Sequence, residues 1–303
     1  MKRLLFIDTN ILLDFYRSRT GAGLSLLKHV DTISECVVMT HQVEMEFKKN
    51  RQTAILESLS ALKPPTVTTR PGLFSEAKAA RALQRNLKNA EKNITTLRGR
   101  LKSVLTKPTT HDPVYKIVQR IFTKQGDLNL TRQNKLKRLI RRRAYRRFIL
   151  GFPPRKAGDT SLGDAVNWEW MVHCATEAKA ELIIVSRDSD YGVTSENKSL
   201  LNDWLLQEFR DRVSKKRNVL LFTRLSEALK LFKVEVSEAE QREEEELAKP
   251  ILTGADYYKH VAAVDPKWPK YSDELLKLIR SESLAALWGA TAWPGDDPSR
   301  QNK

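Results

Sequence analysis

Apolar residues gather in four short unbroken runs: Leu4-Leu5-Phe6-Ile7, Cys36-Val37-Val38-Met39, Leu182-Ile183-Ile184-Val185 and Val219-Leu220-Leu221-Phe222. Runs of that length, with β-branched residues and no polar alternation, predict strands covered on both faces, as in a parallel sheet. Helix-period patterns fill much of the sequence between them, and strand–helix alternation predicts an α/β fold. The first strand, Lys2 to Ile7, stops at Asp8.

A different pattern interrupts this alternation. Pro64-Pro65 and Pro71-Gly72 mark a break, after which Ser75 is a candidate N-cap for a long helix. Its apolar positions Leu83, Leu87, Ala90, Ile94, Leu97, Leu101 and Val104 step alternately by four and three, a stripe that calls for another helix against it. A second helix is expected from Asp112 to Thr123 and a third from Thr131 to Arg147. Residues 70–150 therefore read as a large all-helical insertion, apolar seam inward and basic faces outward, between core segments 1–69 and 151–235. Residues 236–303 read as a C-terminal helical extension and tail. A helix over Ser226–Phe232 precedes them, the four acids Glu243–Glu246 suggest a solvated spacer or helix surface, and the polar stretch Gly295–Lys303 is expected to fray.

Charge sharpens the picture. The 303 residues carry a formal +16, but 24 Lys and Arg against 4 acids lie between Arg70 and Lys156, so the remainder is net acidic. A one-signed block of this size suits a polyanion, because each cation seated on a phosphate releases counterions. Arg138, Arg141, Arg142, Arg143, Arg146 and Arg147, with Tyr145 among them, form the best candidate nucleic-acid contact cluster. Two cysteines, Cys36 and Cys174, are too few for a disulfide framework, and no apolar run approaches a bilayer span. A cytoplasmic protein without an integral membrane segment is expected. A peripheral membrane or protein-interaction module would rest on the basic block alone.

Several carboxylates fall where an open parallel sheet gathers its ligands, outside the carboxyl ends of the strands. Asp8 follows the first strand, Asp188 and Asp190 follow Leu182–Val185, Asp164 opens a helical pattern after Gly163, and Glu46 lies in the helix after Cys36–Met39. Each alone could be a cap or turn residue. Together on one rim they would raise one another's pKa unless a cation neutralised them. An all-oxygen set without clustered Cys or His suits Mg²⁺ or Mn²⁺.

Phe6-Ile7-Asp8-Thr9-Asn10, continuing Ile11-Leu12-Leu13-Asp14-Phe15-Tyr16-Arg17, resembles the opening of PIN-domain nucleases, specifically the bacterial PIN-like group. Gln42-Val43-Glu44-Met45-Glu46-Phe47 with Asn50-Arg51, Gly163-Asp164-Ala165 with Trp168, and Val185-Ser186-Arg187-Asp188 agree with it in order. The resemblance covers about residues 1–225. It implies a PIN-like, Rossmann-like parallel sheet flanked by helices and a metal-dependent nuclease with Asp8, Glu46, Asp164 and Asp188 as catalytic acids. Asp8, Asp164, Asp188 and Asp190 are then the metal-ligand candidates. Glu44 rivals Glu46, and the family pattern favours Glu46. Thr9, Asn10 and Ser186 stand beside these acids as candidate supporting hydrogen-bond partners, with turn and cap chemistry as their alternative.

The implied activity is phosphodiester hydrolysis by metal-activated water, with RNA (tRNA or mRNA) favoured over DNA. A toxin, a phage-defence effector and an RNA-processing enzyme stay open, as do an oligomer and an antitoxin or defence partner. The competing class is a non-catalytic nucleic-acid-binding protein on a degenerate PIN-like scaffold, which a missing acid would mark; each acidic position here has a candidate.

Overall fold

The computed structural model describes residues 2–18, 20–65, 73, 77–155, 161–195 and 198–248. Expectations for Ser75, for the Pro71-Gly72 break and for the tail beyond residue 249, Gly295–Lys303 included, lie outside these residues. The chain divides into two compact units, 1–249 and 250–303, and the description that follows concerns the first.

In chain order the elements are β1 Arg3–Ile7, α1 Thr9–Asp14, α2 Gly21–Thr32, β2 Val37–Thr40, α3 His41–Ala61, α4 Lys78–Thr106, α5 Pro108–His111, α6 Pro113–Thr123, β3 Asn129–Leu130 and α7 Lys137–Ile149. There follow α8 Gly163–Ala178, β4 Glu181–Val185, β5 Gly192–Ser195, β6 Lys198–Leu201, α9 Asp203–Arg212, β7 Val219–Phe222, α10 Leu225–Lys230 and α11 Glu238–Ala248. Five strands form one parallel sheet in the order β3-β2-β1-β4-β7, and β5 and β6 form a separate antiparallel pair. All four apolar runs are strands of the larger sheet. Leu4 to Ile7 in central β1 are wholly buried, as expected for a strand covered by helices on both faces.

After β1 the chain builds outward through β2 and β3, then returns to the other side of β1 for β4 and β7. The switch in strand order therefore lies between β1 and β4, where α/β sheets open a crevice at their carboxyl ends.

Between Lys78 and Ile149 the elements are helices joined by loops and the short β3, whose two residues pair with Met39 and Thr40, so the expected all-helical insertion contains a strand. Val114, Ile117, Val118, Ile121 and Phe122 of α6 and Leu130 of β3 join the main hydrophobic core, as do Ile140 and Ala144 of α7. The segment is thus knitted into the sheet at its C-terminal half. The stripe on α4 differs from its expected inward seam: no α4 residue is buried, and Leu83 and Leu97 are 41% and 45% exposed.

Two charged clusters lock helices together. Asp112 caps α6 through the Tyr115 N–H (2.8 Å), accepts from the Tyr16 hydroxyl (2.8 Å) and pairs with the buried guanidinium of Arg51 (2.7 Å). Arg147 departs from its expected place on the basic surface. It is 4% exposed, donates from Nε to Glu169 (3.1 Å), and contacts Glu208, which also accepts from the Trp168 indole (3.0 Å). Arg212 closes the network on Glu169 at 2.7 Å and Glu208 at 2.6 Å, joining α7, α8 and α9. An arginine so engaged has no fork left for a phosphate. Burial alone would raise the Glu169 pKa, but its hydrogen bonds and charge contacts with Arg212 and Arg147 hold it below the ordinary glutamate value.

The acidic run lies on a helix, as one of its two expectations had it, with Glu245 and Glu246 exposed; Glu243 and Glu244, with Glu240 before them on α11, are instead buried. Glu243 accepts from the hydroxyls of Ser18 and Thr20, both at 2.8 Å, Glu240 meets His29 Nε2 at 3.1 Å, and Glu244 accepts the Leu225 and Ser226 N–H groups that open α10. Orphan amides at a helix start favour an anion, which explains why acids on one helix serve the ends of others. Among the described residues no helix is long and apolar enough to cross a membrane.

Candidate active site

Asp8 leaves β1 and caps α1, so its carboxylate stands at the switch point by backbone necessity. The parallel ladder continues one bond past the strand, from Asp8 N–H to the Val185 carbonyl (3.0 Å), which sets the start of the Ser186–Asp188 turn beside it. Asp8 Oδ1 accepts from the Thr9 N–H (2.6 Å), and Oδ2 accepts from Ser186 Oγ (2.5 Å) and Asn10 Nδ2 (3.1 Å). Ser186 Oγ in turn accepts the Asp188 N–H at 3.0 Å. Thr9, Asn10 and Ser186 therefore touch the acids directly and fix the rotation of the Asp8 carboxylate.

Glu46 reaches the same rim from α3. Its Oε2 accepts from Thr9 Oγ1 (3.0 Å) and its Oε1 from Gln42 Nε2 (2.7 Å), one helical turn earlier. Glu44, two residues away on the helix, pairs with Lys48 at 2.6 Å. The geometry separates the two candidates: Glu46 is joined to Asp8 through Thr9, whereas Glu44 belongs to a different face. Gly163 permits this packing, since a Cβ there would lie 2.6 Å from Glu46 Oε1 and 2.9 Å from Gln42 Nε2. Asp164 follows in the first turn of α8.

The electrostatics report the crowding. Burial raises the Asp8 pKa from 3.8 to about 6, helped by the charges of Asp188 and Glu46 and opposed by its hydrogen bonds from Ser186 and Thr9. Burial is also the main cause of the rise at Asp164, to about 8, followed by the charges of Asp8, Glu46, Asp190 and Asp188. The charges of Glu46 and Asp188 thus reach both Asp8 and Asp164, and that of Asp190 reaches Asp164.

Three neighbours were missed by sequence reasoning. Tyr191 is wholly buried, its hydroxyl has no hydrogen-bond partner, and burial followed by the charges of Asp164, Asp8, Glu46 and Asp188 pushes its pKa far up. Gln42 was readable as the residue four positions before Glu46. His41 starts α3, and nothing in the local sequence marks it, because the groups that act on it lie about ninety or more residues further along the chain.

The donor set suits a hard divalent cation: all oxygen, mutually repelling, and costly to ionise while uncompensated. Among the described residues no three acidic, histidine or cysteine side chains stand together in a ready-made coordination group. Such a cation would take carboxylates together with water and substrate oxygens, the usual habit of Mg²⁺.

The α7 arginines divide by environment. Arg138, Arg141, Arg142, Arg143 and Arg146 are exposed, whereas Arg147 is internal. Arg143 and Arg146 line a groove shared with Glu169 and Glu208.

A family model described as "PIN domain" matches residues 5–191. No curated protein and no solved structure match the chain.

Proposed function

The chain belongs to the PIN-domain family, whose members are generally nucleases using divalent metals, and from this we propose that it hydrolyses phosphodiester bonds of RNA with Mg²⁺ or Mn²⁺. The observation that carries the reading is the convergence of carboxylates at the sheet's switch point, where Asp8 and Asp164 are buried among the charges of Glu46, Asp188 and Asp190 and their pKa values are raised. Asp8, Asp164, Asp188 and Asp190 are assigned as the residues that hold the metal, and Glu46 as a catalytic acid of the same rim. A bound divalent cation supplies an activated water and stabilises charge on the leaving oxygen.

The chain's own residues prepare the site. Ser186, Asn10 and the Thr9 amide keep the Asp8 oxygens oriented, and Thr9 and Gln42 do the same for Glu46. Near neutral pH Asp164 holds its proton in the metal-free site, because burial and four like charges disfavour its ionised form, and a bound cation would offset those charges. The exposed cations of residues 70–150, Arg138, Arg141, Arg142, Arg143 and Arg146 among them, are assigned to the phosphate backbone, and segments 1–69 and 151–235 to the cleaving core.

The test is cleavage of labelled single-stranded RNA, structured RNA and single-stranded DNA by wild type and Asp8→Asn in Mg²⁺, Mn²⁺ or EDTA. RNA is expected to be cut only by wild type with metal, while Asp8→Asn binds it at least as tightly because a negative charge near the phosphate is gone. Equal cutting by both proteins, or cutting that survives EDTA, refutes the proposal.

A further inference from the structure

The carboxyl ends of parallel strands lie side by side, so the residues leaving β3, β2, β1 and β4 line one rim in that order. β4 and β1 deliver Ser186, Asp188 and Asp8 to it, and β2 delivers His41 and Gln42. β3 ends at Leu130 and hands over to Thr131 and Arg132. With adjacent strands about 4.8 Å apart, the end of β3 stands roughly 10 Å from that of β1.

At this far end the sign of the charge reverses. Lys137 Nζ donates to the Arg132 carbonyl at 3.2 Å, which sets the start of α7 against the β3 exit. Arg141 follows Lys137 by one helical turn and shares its face. His41 starts α3 at the end of β2, beside β3, and feels these charges: burial lowers its pKa first, the charge of Lys137 next, then those of Arg141 and Arg132, against an opposing hydrogen bond to the Leu130 backbone. Its Nδ1 is buried without a hydrogen-bond partner. Lys137, Arg141 and Arg132, brought together at the β3 exit beside the end of β2, repel one another and would be compensated by an anion. Arg132 also lines a groove of about 580 Å³ with Lys48, Phe122, Gln125 and Gln133, room for a nucleoside attached to that anion. Glu44, which shares the groove, is already paired with Lys48.

We propose that Arg132, Lys137, Arg141 and His41 form a phosphate-binding subsite at the ends of β3 and β2, which seats a backbone phosphate of single-stranded RNA two strands away from Asp8. The subsite rests on the nuclease reading for its purpose. It sets the register of the substrate: a phosphate anchored at Arg132 directs the chain along the rim, past Gln42 and Glu46, to the carboxylates.

The test separates the subsite from the chemistry by measuring binding in EDTA. Full-length wild type, Lys137→Ala/Arg141→Ala and Lys215→Ala/Lys216→Ala are titrated against a fluorescein-labelled single-stranded oligoribonucleotide over a salt series. Lys215 and Lys216 serve as the charge-matched control because they precede β7 and lie at the opposite end of the sheet. The first double variant is expected to bind about tenfold more weakly, with a salt slope shallower by about 1 to 1.5, and the control to stay near wild type. A second reading is the His41 ring resonance, which oligonucleotide should shift in wild type but not in Lys137→Ala/Arg141→Ala. Inorganic phosphate alone tests whether a free anion suffices, and a shift at similar concentration would overturn the assignment to RNA. Equal losses in both double variants, no loss in the first, or no binding by wild type would overturn the subsite. Failure of wild type to cleave with Mg²⁺ or Mn²⁺ would instead refute the nuclease reading and leave the binding result standing.

Discussion

Replacing Asp164 with Asn should stabilise the metal-free protein increasingly as pH rises. In the unfolded chain the carboxyl ionises near 3.8, whereas in the fold burial and the charges of Asp8, Glu46, Asp190 and Asp188 delay it to about 8. The folded state therefore binds the proton more tightly, and wild-type stability falls as pH climbs from about 4 towards 8. Each tenfold gain in proton affinity corresponds to about 1.4 kcal/mol, so the contribution lost between pH 4 and pH 7 has a ceiling of about 4 kcal/mol. Asn has no such proton to hold. The assay is urea unfolding followed by circular dichroism, in EDTA at pH 4, 5.5, 7 and 8.5, for both proteins. Taking their difference cancels carboxylates that titrate in both, Glu169 among them. The difference in unfolding free energy should move towards the variant by about 2 to 4 kcal/mol between pH 4 and pH 7. A difference independent of pH, or one moving the other way, would show that the acids do not crowd as described. Saturating Mn²⁺ should recover stability in wild type more than in the variant, by about 2.7 kcal/mol at a hundred times its Kd if the variant does not bind.

Three further outcomes follow from particular contacts. Gly163→Ala pushes a methyl into Glu46 Oε1, so cleavage should fall about 10- to 100-fold with the far-UV spectrum unchanged, and a wild-type rate would refute the close approach. Asp112→Ala leaves the buried Arg51 guanidinium without its carboxylate and should cost about 3 to 5 kcal/mol in a denaturant titration; a loss below about 1 kcal/mol would contradict the pairing. Tyr191→Phe removes a buried hydroxyl with no partner and should raise metal-free stability by about 1 to 2 kcal/mol, whereas a fall would show that the hydroxyl is satisfied.

β1, β2 and β4 were legible because burial on both faces leaves an unbroken apolar run; β7 carries the same run but, as an edge strand, leaves Leu220 40% exposed, so its expected two-sided burial is not met. β3 was not legible, since Asn129-Leu130 is too short to carry a pattern and is a strand only through its pairing with Met39 and Thr40. The acids at strand ends were legible for the same topological reason that brings Asp8 and Asp188 to adjacent strand ends. Arg147 looked identical to its basic neighbours, because Glu169 and Glu208 lie 22 and 61 positions away and only the fold presents them. The glutamates of α11 misled in the same way. A run of like charge says nothing about helix starts elsewhere in the chain, and Glu244 meets Leu225 and Ser226 from nineteen and eighteen residues downstream.

β7 has a bearing on how this protein can be dissected. The family match stops at residue 191, yet β4 is bonded along Leu182–Val185 to Val219–Phe222, which lies beyond it. A fragment cut at that boundary would leave Leu182 to Val185 with one row of backbone amides and carbonyls bare, flat and apolar, ready to recruit another chain. It would also lose α11, whose acids hold the starts of α2 and α10. A fragment that keeps this sheet and these helix starts intact therefore has to extend at least through Ala248, beyond the limit of family likeness.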